Sequence, residues 1–266
     1  MTKRVIVTRP RQEARKWVDA LAGAGYDAVA LPLIEVSAAP DAKAVRAQWA
    51  QLHTYDAVMF VSGNAVDYFF EQNTTAAPVF TAQAAIKIRA MVTGPGSFSA
   101  LLRAYADPAF IDAPKLQAGQ YDSEALWAVV QSQVKPGYRV LIVRGASSLA
   151  MPTDEGHGRD WFAKQVTAAG GQVEFVVAYQ RRGPDMTEHD RALVSQSAVD
   201  GSVWLFSSSE AITNLVAACP DQSWRHARAL VTHPRIAQVA REAGFSVVCE
   251  SRPQLDCLMA SIESMQ

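Results

Sequence analysis

No stretch of this chain approaches the roughly 18–20 consecutive apolar residues that a membrane-spanning helix requires, although 49% of its 266 residues are hydrophobic. The apolar content is instead cut into short runs, as in the interior of a globular α/β protein. Cysteine is scarce: Cys219, Cys249 and Cys257 lie in the last quarter, are odd in number and show no metal-type pairing. That pattern argues for a reducing compartment over a disulfide scaffold, with the three thiols expected as buried small hydrophobes. An excess of charge of one sign is also missing, since 25 Lys and Arg face 26 Asp and Glu for a formal net charge of -1. No global basic field is present to draw in nucleic acid or an anionic membrane, and neither is expected as a partner. The five histidines show no metal-ligand spacing, and His157 beside Asp154 and Glu155 reads as part of a solvated loop.

Catalytic signatures are missing too. There is no Gly-x-Ser-x-Gly elbow and no serine with an evident His and Asp set, which speaks against acyl-enzyme chemistry. Gly94-Pro95-Gly96 lacks the glycine spacing of a dinucleotide fingerprint and the Lys-Ser/Thr ending of a phosphate loop, so nucleotide binding is not favoured. The opening Met-Thr-Lys-Arg leads into a strand pattern without the apolar stretch of a signal peptide, and the expectation is a soluble, cytoplasmic protein.

What the chain does contain is a duplication. A strand ending in Arg and a turn residue occurs at Val5 to Pro10 and at Val140 to Gly145. A Phe/Ser turn followed by Ala and a β-branched residue occurs at Met59 to Val66 and at Leu205 to Ile212, and Arg-Ala-x-Val-Thr-x-Pro occurs at Arg89 to Pro95 and Arg228 to Pro234. The offsets, about 135, 146 and 139 residues, fit one α/β unit present twice and are far too long for a stacked solenoid.

Strand-type and helix-type patterns alternate throughout. Strands are expected near Arg4 to Thr8, Ala28 to Leu33, Ala57 to Val61, Ala90 to Thr93, Val140 to Val143, Val173 to Val177, Val203 to Phe206, Leu230 to Thr232 and Ser246 to Cys249. Most lead into a helix, which points to parallel sheets flanked by helices. Linkers are expected at Ser37-Ala38-Ala39-Pro40-Asp41 and at Arg181-Arg182-Gly183-Pro184-Asp185. They divide the chain into an inserted domain, 37–179, and a discontinuous domain built from 1–36 and 180–266.

In such sheets ligands collect beyond the carboxyl ends of the strands, where unpaired N–H groups of helix N-termini attract carboxylate or phosphate. The duplicated patterns fall at these places: Arg9 and Arg144 at strand ends, Ser62-Gly63-Asn64 and Ser207-Ser208 at strand-to-helix turns, Thr93-Gly94 and Thr232 likewise. Plain helix capping is the competing explanation for each hydroxyl, with Asp122 or Ser123 the natural cap before the helix from Ala125 to Val130. Tyr179 stands apart, because it ends a strand beside Arg181 and Arg182 at the domain crossing. A phenol there can give a proton to a leaving hydroxyl, against the alternative of a Tyr packed at a domain edge.

The ordered set of motifs resembles the uroporphyrinogen-III synthase family. It comprises Val-Thr-Arg-Pro at the start, Phe60 to Val66, Val92 to Gly96, Ser123-Glu124 before a helix, Arg144-Gly145 with Gly158-Arg159-Asp160, Val-x-x-Tyr ending at Tyr179, and Thr232 to Ala237. The resemblance implies two flavodoxin-like domains joined by a two-strand crossover, with an active-site cleft between them. It further implies dehydrative cyclisation of the linear tetrapyrrole polycarboxylate hydroxymethylbilane to uroporphyrinogen III, with inversion of ring D through a spiro intermediate and without metal or cofactor. Tyr179 is then the residue that assists hydroxyl departure. Arg9, Ser62, Gly63, Asn64, Thr93, Gly94, Ser123, Glu124, Arg144, Ser207, Ser208, Thr232 and Arg235 are the candidate substrate contacts. Arg235 stands where some members carry threonine, and its backbone amide is the expected donor. A monomer with transient contact to hydroxymethylbilane synthase completes the expectation. A non-catalytic two-domain anion-binding or sensor protein, and a nucleotide-sugar or phosphosugar enzyme of similar fold, are the competing functions.

Overall fold

The computed structural model describes residues 4–73, 78–85, 87–115, 122–147, 157–252 and 254–265. The chain opens with β1 (Arg4–Val7), α1 (Arg11–Gly23) and β2 (Asp27–Ala30), then passes through β3 (Glu35–Ala38). It continues with α2 (Ala42–Ala50), β4 (Ala57–Phe60), α3 (Gly63–Phe70), β5 (Arg89–Val92), α4 (Pro95–Arg103), β6 (Ile111–Asp112) and α5 (Ser123–Val130). Next come β7 (Arg139–Ser147), α6 (His157–Ala168) and β8 (Gln172–Arg182). Last are α7 (Glu188–Ser197), β9 (Val203–Phe206), α8 (Ser209–Ala218), β10 (Arg228–Val231), α9 (Pro234–Glu242), β11 (Val247–Glu250) and α10 (Leu255–Ser264). Two compact units result, one of 1–36 with 182–266 and one of 37–181.

The first unit is a five-stranded sheet in the order β11-β10-β9-β1-β2, every pair parallel. Its central strands read as unbroken apolar runs because both faces are covered. Val5, Val7, Val203, Leu205 and Leu230 pack on the side of Leu21 and Leu258. The alternate residues Ile6, Trp204, Phe206, Ala229 and Val231 pack on the side of Val194, Leu215 and Ile236. An aromatic knot fills that second face, with Trp224 edge-on to Trp204 at 5.4 Å and stacked on Phe245 at 5.2 Å.

In the second unit the order is β3-β8-β7-β4-β5-β6. Ala57, Met59, Val140 and Ile142 face Leu126, Val130, Phe162 and Val166 of α5 and α6. Phe60 faces the other way, into rings that include Phe69 and Phe80 at 5.6 and 6.0 Å. Apart from β3, this order repeats that of the first unit, with β6, β5, β4, β7 and β8 in the places of β11, β10, β9, β1 and β2. The duplicated sequence patterns are therefore matched strand by strand, each unit drawing on both halves of the chain.

Some expectations need correction. The segment read as a small, polar linker at Ser37 to Asp41 begins inside β3, where the Ala39 amide donates to the Ala178 carbonyl at 3.1 Å, and Asp41 caps α2. Likewise β8 runs on through Arg181 and Arg182 instead of breaking there. His157 opens α6 and does not lie in a loop, while Asp154 and Glu155 fall outside the described residues. The three cysteines are free but only partly buried, which departs from the expected core positions. Among the described residues no helix is long and apolar enough to cross a membrane.

Candidate functional site

Each of β4, β5, β9 and β10 ends at a turn that starts a helix, so each unit carries two helix N-termini at its own strand carboxyl ends, α3 and α4 in the second and α8 and α9 in the first. In the second unit, the Ser62 side chain caps α3 by accepting the Ala65 amide at 3.1 Å. The α4 turn is built differently: Gly94 at the cap offers no side chain, Pro95 occupies the first helical position, and no side-chain cap bond forms. Amides left uncapped this way are the groups that bind anions. The two turns adjoin, since a Cβ placed on Gly63 would lie 3.5 Å from the Gly96 carbonyl oxygen. Gly94 also borders a cavity of about 240 Å³ lined mainly by Pro95, Phe98, Ile111, Pro114 and Lys115. That volume suits one side arm of a ligand and is too small for a whole drug-sized molecule.

Tyr179 sits at the far end of β8, only 3% exposed. A bulge places it: Arg144 pairs with Val177 but Gly145 pairs with Tyr179, so β8 carries one extra residue here. Bulges turn side chains to new directions, and this one lays the tyrosine ring against the Gly145 backbone. A Cβ on Gly145 would fall 2.9 Å from Cε1 of that ring and nearer still to Cζ, so the position requires glycine. The ring also stacks with Tyr68, with centroids 6.1 Å apart and planes 20° from parallel. Burial first, then the charges of Glu71 and Asp67, raises the Tyr68 pKa and keeps that phenol neutral. The Tyr179 hydroxyl lies 3.0 Å from Ser62 Oγ. The start of α3, β7 and β8 thus meet at one point, although Ser62 and Tyr179 are 117 positions apart.

The cations behave unevenly. Arg144 lays its guanidinium over Phe175, 4.7 Å from the ring centroid, a stacking that leaves the N–H edges in plane for carboxylates. Arg182, expected beside the phenol, binds Glu35 at 2.7 Å and Asp185 at 3.4 Å. It lies three residues past Tyr179 and hence, by strand alternation, on the opposite face. Asp122, not Ser123, caps α5 through the Ala125 amide at 2.8 Å, while Ser123 is buried and Glu124 exposed. The neighbouring Gln120 and Tyr121 lie outside the described residues, as do the side chains of Gly158 and Arg159.

In the first unit, Arg9 bonds Glu13 at 2.9 Å and covers the Trp17 ring at 4.3 Å, so its charge is already partly answered. Ser208 caps α8 through the Glu210 amide at 3.2 Å, and Ser207 precedes it at the end of β9. Thr232 is half-buried at the end of β10. The next residue, His233, caps α9 by accepting the Arg235 amide on Nδ1 at 3.1 Å. The amide expected to serve a ligand is therefore engaged by an imidazole, a partner the Thr-x-Pro pattern did not reveal. Counted along the chain from the registers Val5 with Ala28 and Val140 with Val173, and setting the bulge aside, Ile34 is the rough counterpart of Tyr179 in this unit. Ile34 is buried and has no hydroxyl, so the acid candidate is unduplicated.

Residues 15–260 match the family model described as uroporphyrinogen-III synthase HemD. Among solved structures, the uroporphyrinogen-III synthetase of Helicobacter pylori is similar at 13% identity and a TM-score of 0.60, covering 100% of both chains. A mutant uroporphyrinogen III synthase of the extremely thermophilic bacterium Thermus thermophilus is similar at 14% identity and a TM-score of 0.58, covering 99% of this chain and 98% of that one. At such identity the structures show a shared fold.

Proposed function

The chain belongs to the uroporphyrinogen-III synthase family, whose cyclisation of hydroxymethylbilane to uroporphyrinogen III it carries out, and we propose how its own residues divide that work. The strand-end turns hold the substrate's carboxylates, mainly through backbone N–H groups at Gly94 and its neighbours and through Arg144. Tyr179 supplies the proton that turns the leaving hydroxyl into water. The O–H bond of the phenol breaks as the substrate C–O bond breaks, and the pyrrole nitrogen lone pair supplies the electrons for the azafulvene. When ring closure is complete, the proton released from the pyrrole carbon returns to the phenolate.

The observation that supports this reading is the placed phenol: its ring lies against Gly145 and near Tyr68, and its oxygen is 3.0 Å from Ser62. Holding the flexible bilane in one folded geometry remains the larger contribution, because positioning supplies most of the advantage when closure also occurs unassisted. Tyr179→Phe then lowers kcat by roughly a hundredfold, at the bottom of the general-acid range, while KM changes by less than about twofold. The 3% exposure of Tyr179 favours a second reading, in which the ring is packing alone. Unchanged kcat in Tyr179→Phe establishes that second reading. We further assign the protein to the cytoplasm as a monomer that receives its short-lived substrate from hydroxymethylbilane synthase.

A further inference from the structure

Ser62 is among the candidate substrate contacts, yet its oxygen is already engaged twice within the protein. Oγ accepts the Ala65 amide at 3.1 Å and lies 3.0 Å from Tyr179 Oη. A serine hydroxyl has one hydrogen and two acceptor positions. The cap to Ala65 takes one acceptor position and leaves the hydrogen and the second acceptor position, so either oxygen of the Ser62 and Tyr179 pair can be the donor. We propose that Ser62 is the positioning residue for Tyr179: its O–H donates to the phenol oxygen, so the phenol hydrogen points away toward the leaving hydroxyl. The proposal rests on the acid role given to Tyr179 above.

The chemistry explains why a serine at a helix start suits this task. As the phenol gives up its proton, the bonding electron pair stays on Oη, and the Ser62 hydrogen bond becomes charge-assisted and stronger. Behind Ser62, the Ala65 amide and the positive end of α3 favour negative charge at that point. The donor thus gains strength in the transition state, which is where an interaction accelerates the reaction. Gly145 serves the same geometry from the other side, since only a residue without a Cβ lets the ring reach Ser62.

The test is a set of steady-state measurements with hydroxymethylbilane on wild type, Ser62→Ala, Ser62→Thr, Ser62→Asp, Tyr179→Phe and the Ser62→Ala/Tyr179→Phe double variant, each with its melting temperature. Ser62→Ala should lower kcat about threefold to tenfold with little change in KM, and Ser62→Thr should restore it. Ser62→Asp retains a good helix cap but only accepts hydrogen bonds when ionised. It captures the phenol hydrogen and should lose at least as much kcat as Ser62→Ala at an unaltered melting temperature. In the Tyr179→Phe background, Ser62→Ala should cost nothing further. Additive losses in the double variant, or a raised KM at constant kcat, overturn the proposal and return Ser62 to substrate binding. A wild-type chain that forms no III isomer removes the proposed function and this role together.

Discussion

A methyl group added at Gly145 tests the site's construction without removing any functional group. In Gly145→Ala the new Cβ would fall 2.9 Å from Cε1 of Tyr179 and closer to Cζ. Moving the ring disturbs its stacking with Tyr68 and the contact of its hydroxyl with Ser62. Displacing it sacrifices one hydrogen bond, about 1 kcal/mol, and one aromatic contact, about 0.5–1.5 kcal/mol. The sum, about 2 kcal/mol, agrees with the roughly 1–3 kcal/mol typical of overpacking. For a protein of this size that lowers the melting temperature by roughly 4–8 °C. Gly171→Ala is the matched control: its Cβ would meet Val166 Cγ1 at 2.7 Å and the Tyr138 carbonyl oxygen at 3.0 Å, at the opposite end of β8. Thermal unfolding with turnover per folded molecule separates the two. Both variants should lose stability, but Gly145→Ala alone should lose kcat, approaching the level of Tyr179→Phe. Gly145→Ala with wild-type kcat and a melting temperature within about 1 °C would refute the packing argument.

Other consequences follow from the cores and the titrating groups. Trp204 is fully buried among Phe206, Trp224 and Phe245, so Trp204→Ala should cost about 3–5 kcal/mol in urea titration. Hydrogen bonds from Tyr55 and then Arg139 hold the Glu174 carboxyl below its ordinary pKa. Its contribution is therefore complete above about pH 4.3 and lost as pH falls through the lower folded value; Glu174→Gln should flatten the acid limb of a stability–pH profile. Burial, then the charges of Asp56 and Asp112, pushes the Tyr138 phenol up to about 12. That group stabilises the fold below about pH 10 and ceases to do so as pH rises toward 12, so Tyr138→Phe should weaken alkaline unfolding over that interval.

The strands were legible because their apolar runs are local: the expected Val203 to Phe206 is β9 itself, and Ala57 to Val61 overshoots β4 by one residue. The duplication was legible for the same reason, and the two matching strand orders reproduce it. Glu35 to Ala38 was not, since its small residues carry no strand signal and its partner, β8, lies far along the chain. In the candidate site, the capping serines Ser62 and Ser208 follow from the propensity of serine at helix starts. The contact between Ser62 and Tyr179 did not, because it depends on the bulge at Gly145 and on pairing between strands distant in sequence. The i,i+4 spacing of Arg9 and Glu13 could have shown that this arginine is engaged locally. Nothing in the Thr-His-Pro-Arg stretch announced that the imidazole would take the Arg235 amide.

The central claim is that the chain folds hydroxymethylbilane into the geometry that inverts ring D. Its most direct test is the isomer ratio of the product when purified protein meets freshly generated hydroxymethylbilane, read by chromatography after oxidation to porphyrins. The III isomer should rise to dominate as protein is increased, and the uncatalysed I isomer should disappear. A product that stays isomer I at every protein concentration would contradict it.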